Sequence, residues 1–122
     1  MSYNYAVAGD FFIIVHALAI VESNENANLI GDDDGLAFGL LQQHPAFFFE
    51  FYGHGSFPAA DLDSWATAQM KAAASYLEKW LDLLGLDGAV TAYNVGVAAY
   101  QGGERNANYL GRFKLAYAGL NG

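Results

Sequence analysis

Cysteine is absent from the 122 residues, which excludes a disulfide framework and any thiolate metal site. Positive charge is scarce and confined to one part of the chain. No Lys or Arg precedes Lys71, whereas the first 70 residues hold nine of the 13 Asp and Glu. Phosphate binding needs a basic face that this half lacks, which argues against a nucleic-acid role. The formal net charge of −8 argues against attraction to an anionic membrane for the same reason. No apolar run is long enough to span a bilayer core of roughly 30 Å. The candidate, Phe11 to Val21, has eleven residues, and no positive segment precedes it as a secretory signal would require. The expectation is a chain made in the cytoplasm, without a signal peptide or an integral membrane segment.

Apolar residues make up 54% of the chain and charged residues 15%. That balance favours one compact, aromatic-rich globular domain over residues 1–122 rather than disorder. Asp10 is placed to cap a helix from about Phe11 to Glu22, apolar enough to be wrapped on all sides. From Ser23 to Gly35 the chain is rich in Asn, Asp and Gly, which favours turns or a short irregular hairpin. Pro45 marks the start of a short helix, and Gly53 to Pro58 form a loop. The longest helix is expected over about Ser64 to Leu84, with Asp61 or Asp63 near its start, Gly85 after its end, and Trp65, Ala68, Ala72, Tyr76, Trp80 and Leu83 as its buried stripe. Helical patterns return over Asp87 to Asn94, Val97 to Gln101 and Asn106 to Ala118. The fold class is mainly α, with little room for sheet.

Glu22 is the residue with the clearest chemical potential. A carboxylate at a helix C-terminus faces the negative end of the macrodipole, which disfavours ionisation. Apolar neighbours such as Ile20 and Val21 add desolvation in the same direction. Both effects favour a proton donor near neutral pH, the requirement for a general acid.

The residues around it carry a pattern. Glu22-Ser23 at the end of an apolar helix, Phe38-Gly39-Leu40-Leu41-Gln42, and Ala92-Tyr93-Asn94-Val95-Gly96 together resemble the goose-type lysozymes and the related soluble lytic transglycosylases. The three elements stand in the family's order, and the tail Gly102 to Phe113 is similar to the family's later Asn and Tyr before a closing helix. The similarity runs from about Val15 to Tyr117. The departures are the Glu22 to Gly39 spacing, which matches neither branch, Leu41 and Val95 in place of other small or flexible apolar residues, and the lack of a Gly-Pro-Gly after Asn94.

The resemblance implies an α+β lysozyme-like fold: a compact helical domain around a buried central helix, with a short irregular or hairpin segment after the catalytic Glu. It implies cleavage of peptidoglycan glycan strands at the β-1,4 bond between N-acetylmuramic acid and N-acetylglucosamine, with Glu22 as general acid. In a hydrolase a second carboxylate holds the attacking water, roughly 6.5 to 9.5 Å away. Counting back from Phe38-Gly39, Asp33 matches that Asp; counting from Gly31, Asp32 does, and Asp33 is preferred. In a transglycosylase Glu22 takes a proton from the muramic acid 6-hydroxyl, a 1,6-anhydro product forms, and no second carboxylate is needed. By the same resemblance Tyr93 reaches the catalytic Glu, and Ser23, Asp32, Phe38, Gln42 and Asn94 contact sugar.

The remaining candidates read as structural. His16, His44 and His54 lack zinc-ligand spacing; His16 reads as a satisfied core histidine and Glu25 as a solvated charge. An EF-hand fails because Ile30 occupies its first ligand position. The aromatic run Phe47, Phe48, Phe49, Phe51 and Tyr52 reads as core and cleft wall. The sequence thus points to a monomeric wall-lytic enzyme of the phage endolysin type, needing no cofactor or metal. It would reach the wall after phage lysis or through a virion or injection apparatus. The alternative is a catalytically inactive lysozyme-fold module that binds glycan or serves as a structural part.

Overall fold

A computed structural model describes residues 11–25, 39–52 and 62–121. They form α1 (Phe11–Ser23), α2 (Pro45–Tyr52), α3 (Leu62–Val95), α4 (Val97–Gln101) and α5 (Ala107–Asn121). No strand occurs among the described residues, and the protein is mainly α. Asp10, Asp32, Asp33, Phe38, His54 and Asp61 lie outside the described residues, as does the expected hairpin beyond Glu25.

Helix α1 packs against α5 and α3. Its Ile14, Val15, Ala17, Leu18 and Ala19 are buried in a core shared with Met70, Leu77, Val90, Tyr109 and Phe113. Burying a Val, Leu or Phe side chain contributes about 1.5–3 kcal/mol, so this α1–α3–α5 contact holds the end of α1 where it is. A second, smaller cluster joins Phe48 of α2 to Ala68 and Ala72 of α3, with Trp65 packed alongside.

Helix α3 consists of two arms, residues 62–84 and 86–95, meeting at Gly85, whose φ of 75° and ψ of 171° break the helical geometry. That combination is open essentially to glycine alone. The expected stripe is buried at Ala68, Ala72 and Tyr76, but Leu83 is 72% exposed. The periodicity is correct and its end is not. Leu83 sits in the last turn before the kink, where the second arm takes over the packing through Ala89 and Val90. The buried face is also wider than a single stripe, because α3 meets α2 along Ala68 and Ala72 and the main core along Ala66, Met70, Ala73 and Leu77.

Gly96 (φ 96°) separates α3 from α4. Asn106 then caps α5: its side-chain Oδ1 accepts from the Tyr109 N–H at 3.1 Å, and its carbonyl accepts from the Leu110 N–H at 3.1 Å.

Candidate active site

Glu22 occupies the last turn of α1. Beyond it Asn24 (φ 53°) and Glu25 (φ 61°) are both left-handed. The Asn24 N–H donates to the Ile20 carbonyl at 2.9 Å, and the Glu25 N–H reaches back to Ala19 at 3.2 Å. Two successive left-handed residues fold the chain back over the helix end, a conformation that Asn tolerates well. This return places the Glu25 carboxylate 3.2 Å from His16 Nε2. Glu25 is therefore paired rather than simply solvated, and His16 has a partner as expected but is half-buried rather than a core residue.

The Glu22 carboxyl accepts a hydrogen bond from the Tyr109 hydroxyl of α5. Its pKa is pushed up to about 7, chiefly by burial; the Tyr109 bond and the Arg112 charge act in the opposite direction. Burial therefore dominates the shift, and the two α5 residues stabilise the ionised form. Arg112 is exposed on α5, 5.8 Å from the centroid of the Tyr109 ring. The Tyr109 hydroxyl itself is held well above its ordinary pKa by burial and by Glu22, so it remains a proton donor throughout the neutral range.

A turn at Gly39–Gln42 faces this end of α1. The Gln42 N–H donates to the Gly39 carbonyl at 3.2 Å, and Gln42 Nε2 donates to the same oxygen at 2.8 Å. Ser23 Oγ, next to Glu22, donates to the Leu40 carbonyl at 2.5 Å. From α3, the Leu41 N–H donates to Gln69 Oε1 at 2.9 Å, and the Tyr93 hydroxyl donates to the Leu41 carbonyl at 2.9 Å. Gln43 completes the seam, its Nε2 donating to the Gln69 carbonyl at 2.9 Å and to the Tyr93 oxygen at 3.3 Å. The turn is thus tied to α1 and to both arms of α3. Gly39 has a φ of 80°, and a Cβ there would lie 2.7 Å from the Gln69 amide, so the close approach of turn and helix requires glycine.

The motif residues consequently take distinct places. Glu22, Ser23, the Gly39–Gln42 turn and Tyr93 come together. Ser23 and Gln42 spend side-chain bonds on backbone carbonyls. Tyr93, expected to reach Glu22, gives its hydroxyl to Leu41, although Glu22 and burial together hold its pKa well above the ordinary value. The hydroxyl on Glu22 belongs to Tyr109, which the sequence indicated only through the Asn and Tyr of the tail. Asn94 Oδ1 accepts from Asn106 Nδ2 at 2.9 Å, linking the second arm of α3 to the α5 cap.

Among the described residues no cluster of three or more His, Asp or Glu could hold a metal ion, and no helix is long and apolar enough to cross a membrane. Comparison with protein-family models, curated proteins and solved structures gave no match, so the family resemblance rests on the quoted motifs.

Proposed function

We propose that the protein cleaves peptidoglycan glycan strands at the β-1,4 bond between N-acetylmuramic acid and N-acetylglucosamine. The observation that carries this reading is a single carboxyl, Glu22, with a pKa of about 7 and a hydroxyl donor on it, standing where the motif segments converge. Near pH 7 a substantial fraction of Glu22 holds the proton that the leaving oxygen needs. As that proton transfers, the Tyr109 O–H and the Arg112 charge stabilise the carboxylate that forms. The glycosidic C–O bond breaks as the sugar gains oxocarbenium character. Water, held by Asp33, then adds to the anomeric carbon and gives its proton to that carboxylate, or the muramic acid 6-hydroxyl adds and gives its proton to the ionised Glu22. The first course leaves reducing ends and the second leaves 1,6-anhydro ends.

The proposal includes a lysozyme-like arrangement of the whole chain and a monomeric phage-type endolysin acting on the wall after release. The test is mass spectrometry of muropeptides released from purified peptidoglycan. Release by wild type and its loss in Glu22→Gln is the expected result. The end groups identify the course, and Asp33→Asn abolishes only the hydrolytic one. Binding without release by the wild type would instead favour an inactive glycan-binding module.

A further inference from the structure

A cavity of about 390 Å³ opens between α2 and the two arms of α3. The rings of Phe47, Phe51, Tyr76, Trp80 and Tyr93 line it together with Glu50, while Glu22 does not. Its volume lies toward the lower end of the range of about 300–1,000 Å³ found for small-molecule sites. The rings hold one another in place: Phe47 meets Phe51 at 4.8 Å between centroids, Tyr93 at 5.1 Å and Tyr76 at 5.5 Å. The wall is therefore formed before a ligand arrives, which lowers the cost of binding.

The lining selects the sign of charge. Of the described residues that line the cavity, Glu50 is the one Asp, Glu, Lys or Arg. An aromatic face carries the negative side of the ring quadrupole, so rings and carboxylate both disfavour an anion. A purely apolar occupant would leave the Glu50 carboxylate facing hydrocarbon, at a desolvation cost. A cation is favoured by both.

Lys79 supplies a positive charge at the rim without lining the cavity. Its Nζ stands over the Trp80 ring at 5.2 Å and over the Phe51 ring at 5.9 Å from the centroids, and 3.9 Å from the Glu50 carboxylate. Three of the lining residues thus already converge on one ammonium. The Lys79–Glu50 pair is weak, because both side chains are more than half exposed and the separation is long for an ion pair. A cation seated in the cavity can therefore take over the carboxylate and the two rings.

The type of cation follows from the wall. A primary ammonium brings three N–H donors that need acceptors once they leave water, and the wall is chiefly aromatic and aliphatic. A quaternary ammonium spreads its charge over methyl groups that pack on ring faces and need no acceptor.

We propose that this cavity binds a quaternary ammonium head group, with Glu50 as its counter-ion and Lys79 as an internal competitor for the same carboxylate and rings. The site is independent of the glycan-cleaving reading, since Glu22 is not part of it. The net charge of −8 assists by raising the local concentration of cations at low salt.

The test is an NMR titration of the wild-type protein with choline at constant ionic strength, beside an uncharged isostere in which a tert-butyl group replaces the trimethylammonium. The expected result is a saturable shift of the Trp80 indole N–H by choline, with the isostere at least about tenfold weaker. Glu50→Gln should weaken choline binding about tenfold, and Lys79→Met, which keeps the apolar stem, should tighten it about threefold. Both replaced side chains are largely exposed, so neither variant threatens the fold. Equal binding of the isostere overturns the proposal, as does the absence of a Trp80 response in the folded wild type. Unchanged or weaker choline binding by Lys79→Met overturns it too. So does a stronger Trp80 response to butylammonium, or to a neutral β-1,4-linked N-acetylglucosamine trimer, than to choline. Cosedimentation with phosphatidylcholine vesicles identifies the source: vesicle binding that choline competes away points to a lipid head group, and choline binding without it to a free small ligand, both in support of the site.

Discussion

At the scale of single residues, Glu22 couples the proposed catalysis to stability. Its carboxyl pKa is pushed up to about 7 in the folded protein against 4.5 for an ordinary glutamate side chain, so the folded state holds the proton more tightly than the unfolded chain. The contribution to stability is fully present below about pH 4.5 and is lost as pH rises through about 7. Glu22→Gln removes the buried charge, and at pH 8 it should stabilise the protein by roughly 2–3 kcal/mol while leaving stability at pH 4 nearly unchanged. Urea denaturation of both proteins at the two pH values checks this. Tyr109 acts in the other direction, because its hydrogen bond favours the ionised carboxyl. Tyr109→Phe should therefore move the alkaline limb of the kcat/KM profile upward by about one to two units, the equivalent of one charge-assisted hydrogen bond. An unchanged limb would show that the hydroxyl does not set the acid's pKa. The raised Glu22 pKa was legible in the sequence through burial, the effect expected from its apolar neighbours; the expected helix-end effect is not among the causes of the shift. Tyr109 was far less so, since its role depends on α5 returning across 87 positions of sequence to meet α1.

At the scale of elements, the decisive piece is the Gly39–Gln42 turn rather than a helix. Short tethers from Ser23, Gln69 and Tyr93 hold it against three helical segments. Gly39→Ala would force a Cβ against the Gln69 amide in a left-handed conformation. A loss of about 2–3 kcal/mol is expected from the strain and the contact together, read as a lower urea midpoint with unchanged slope. Activity should fall with it, because displacement of Gln69 frees the Leu41 N–H. Helix boundaries were readable where backbone chemistry dictates them: Pro45 opens α2, Gly85 breaks α3 and Gly96 separates α4. The buried stripe of α3 was readable as a period but not as an extent, since only the direction of the second arm decides that Leu83 faces solvent. The roles of Ser23 and Gln42 were also beyond local pattern. Both side chains have backbone acceptors supplied by the fold, Leu40 for Ser23 and Gly39 for Gln42.

At the scale of the whole molecule, charge is unevenly distributed along the chain. All five Lys and Arg follow residue 70, and among them Arg112 stands by Glu22 while Lys79 stands at the aromatic cavity. Arg112 thus places one cation by the proposed cleavage site, within a molecule of net charge −8. A cell wall rich in anionic polymers repels such a molecule as a whole. At an ionic strength of about 0.01 M the Debye length is roughly 30 Å, comparable with a small domain, and at about 0.15 M it falls to roughly 8 Å. Repulsion of the approaching protein is then screened, while the part-buried Tyr109–Glu22 contact changes little. Lysis of intact cell walls should therefore accelerate from about 10 to about 150 mM NaCl, with the gain in apparent association rather than in kcat. A soluble, neutral β-1,4-linked hexosamine oligomer serves as the control, because no long-range repulsion opposes its arrival. Cleavage of that oligomer should be nearly flat over the same range. A wall-lysis rate that declines steadily from the lowest salt, with the oligomer rate flat, would mean that a local cation such as Arg112 governs the encounter in spite of the net charge. The same decline in both assays would place the salt effect at the site itself.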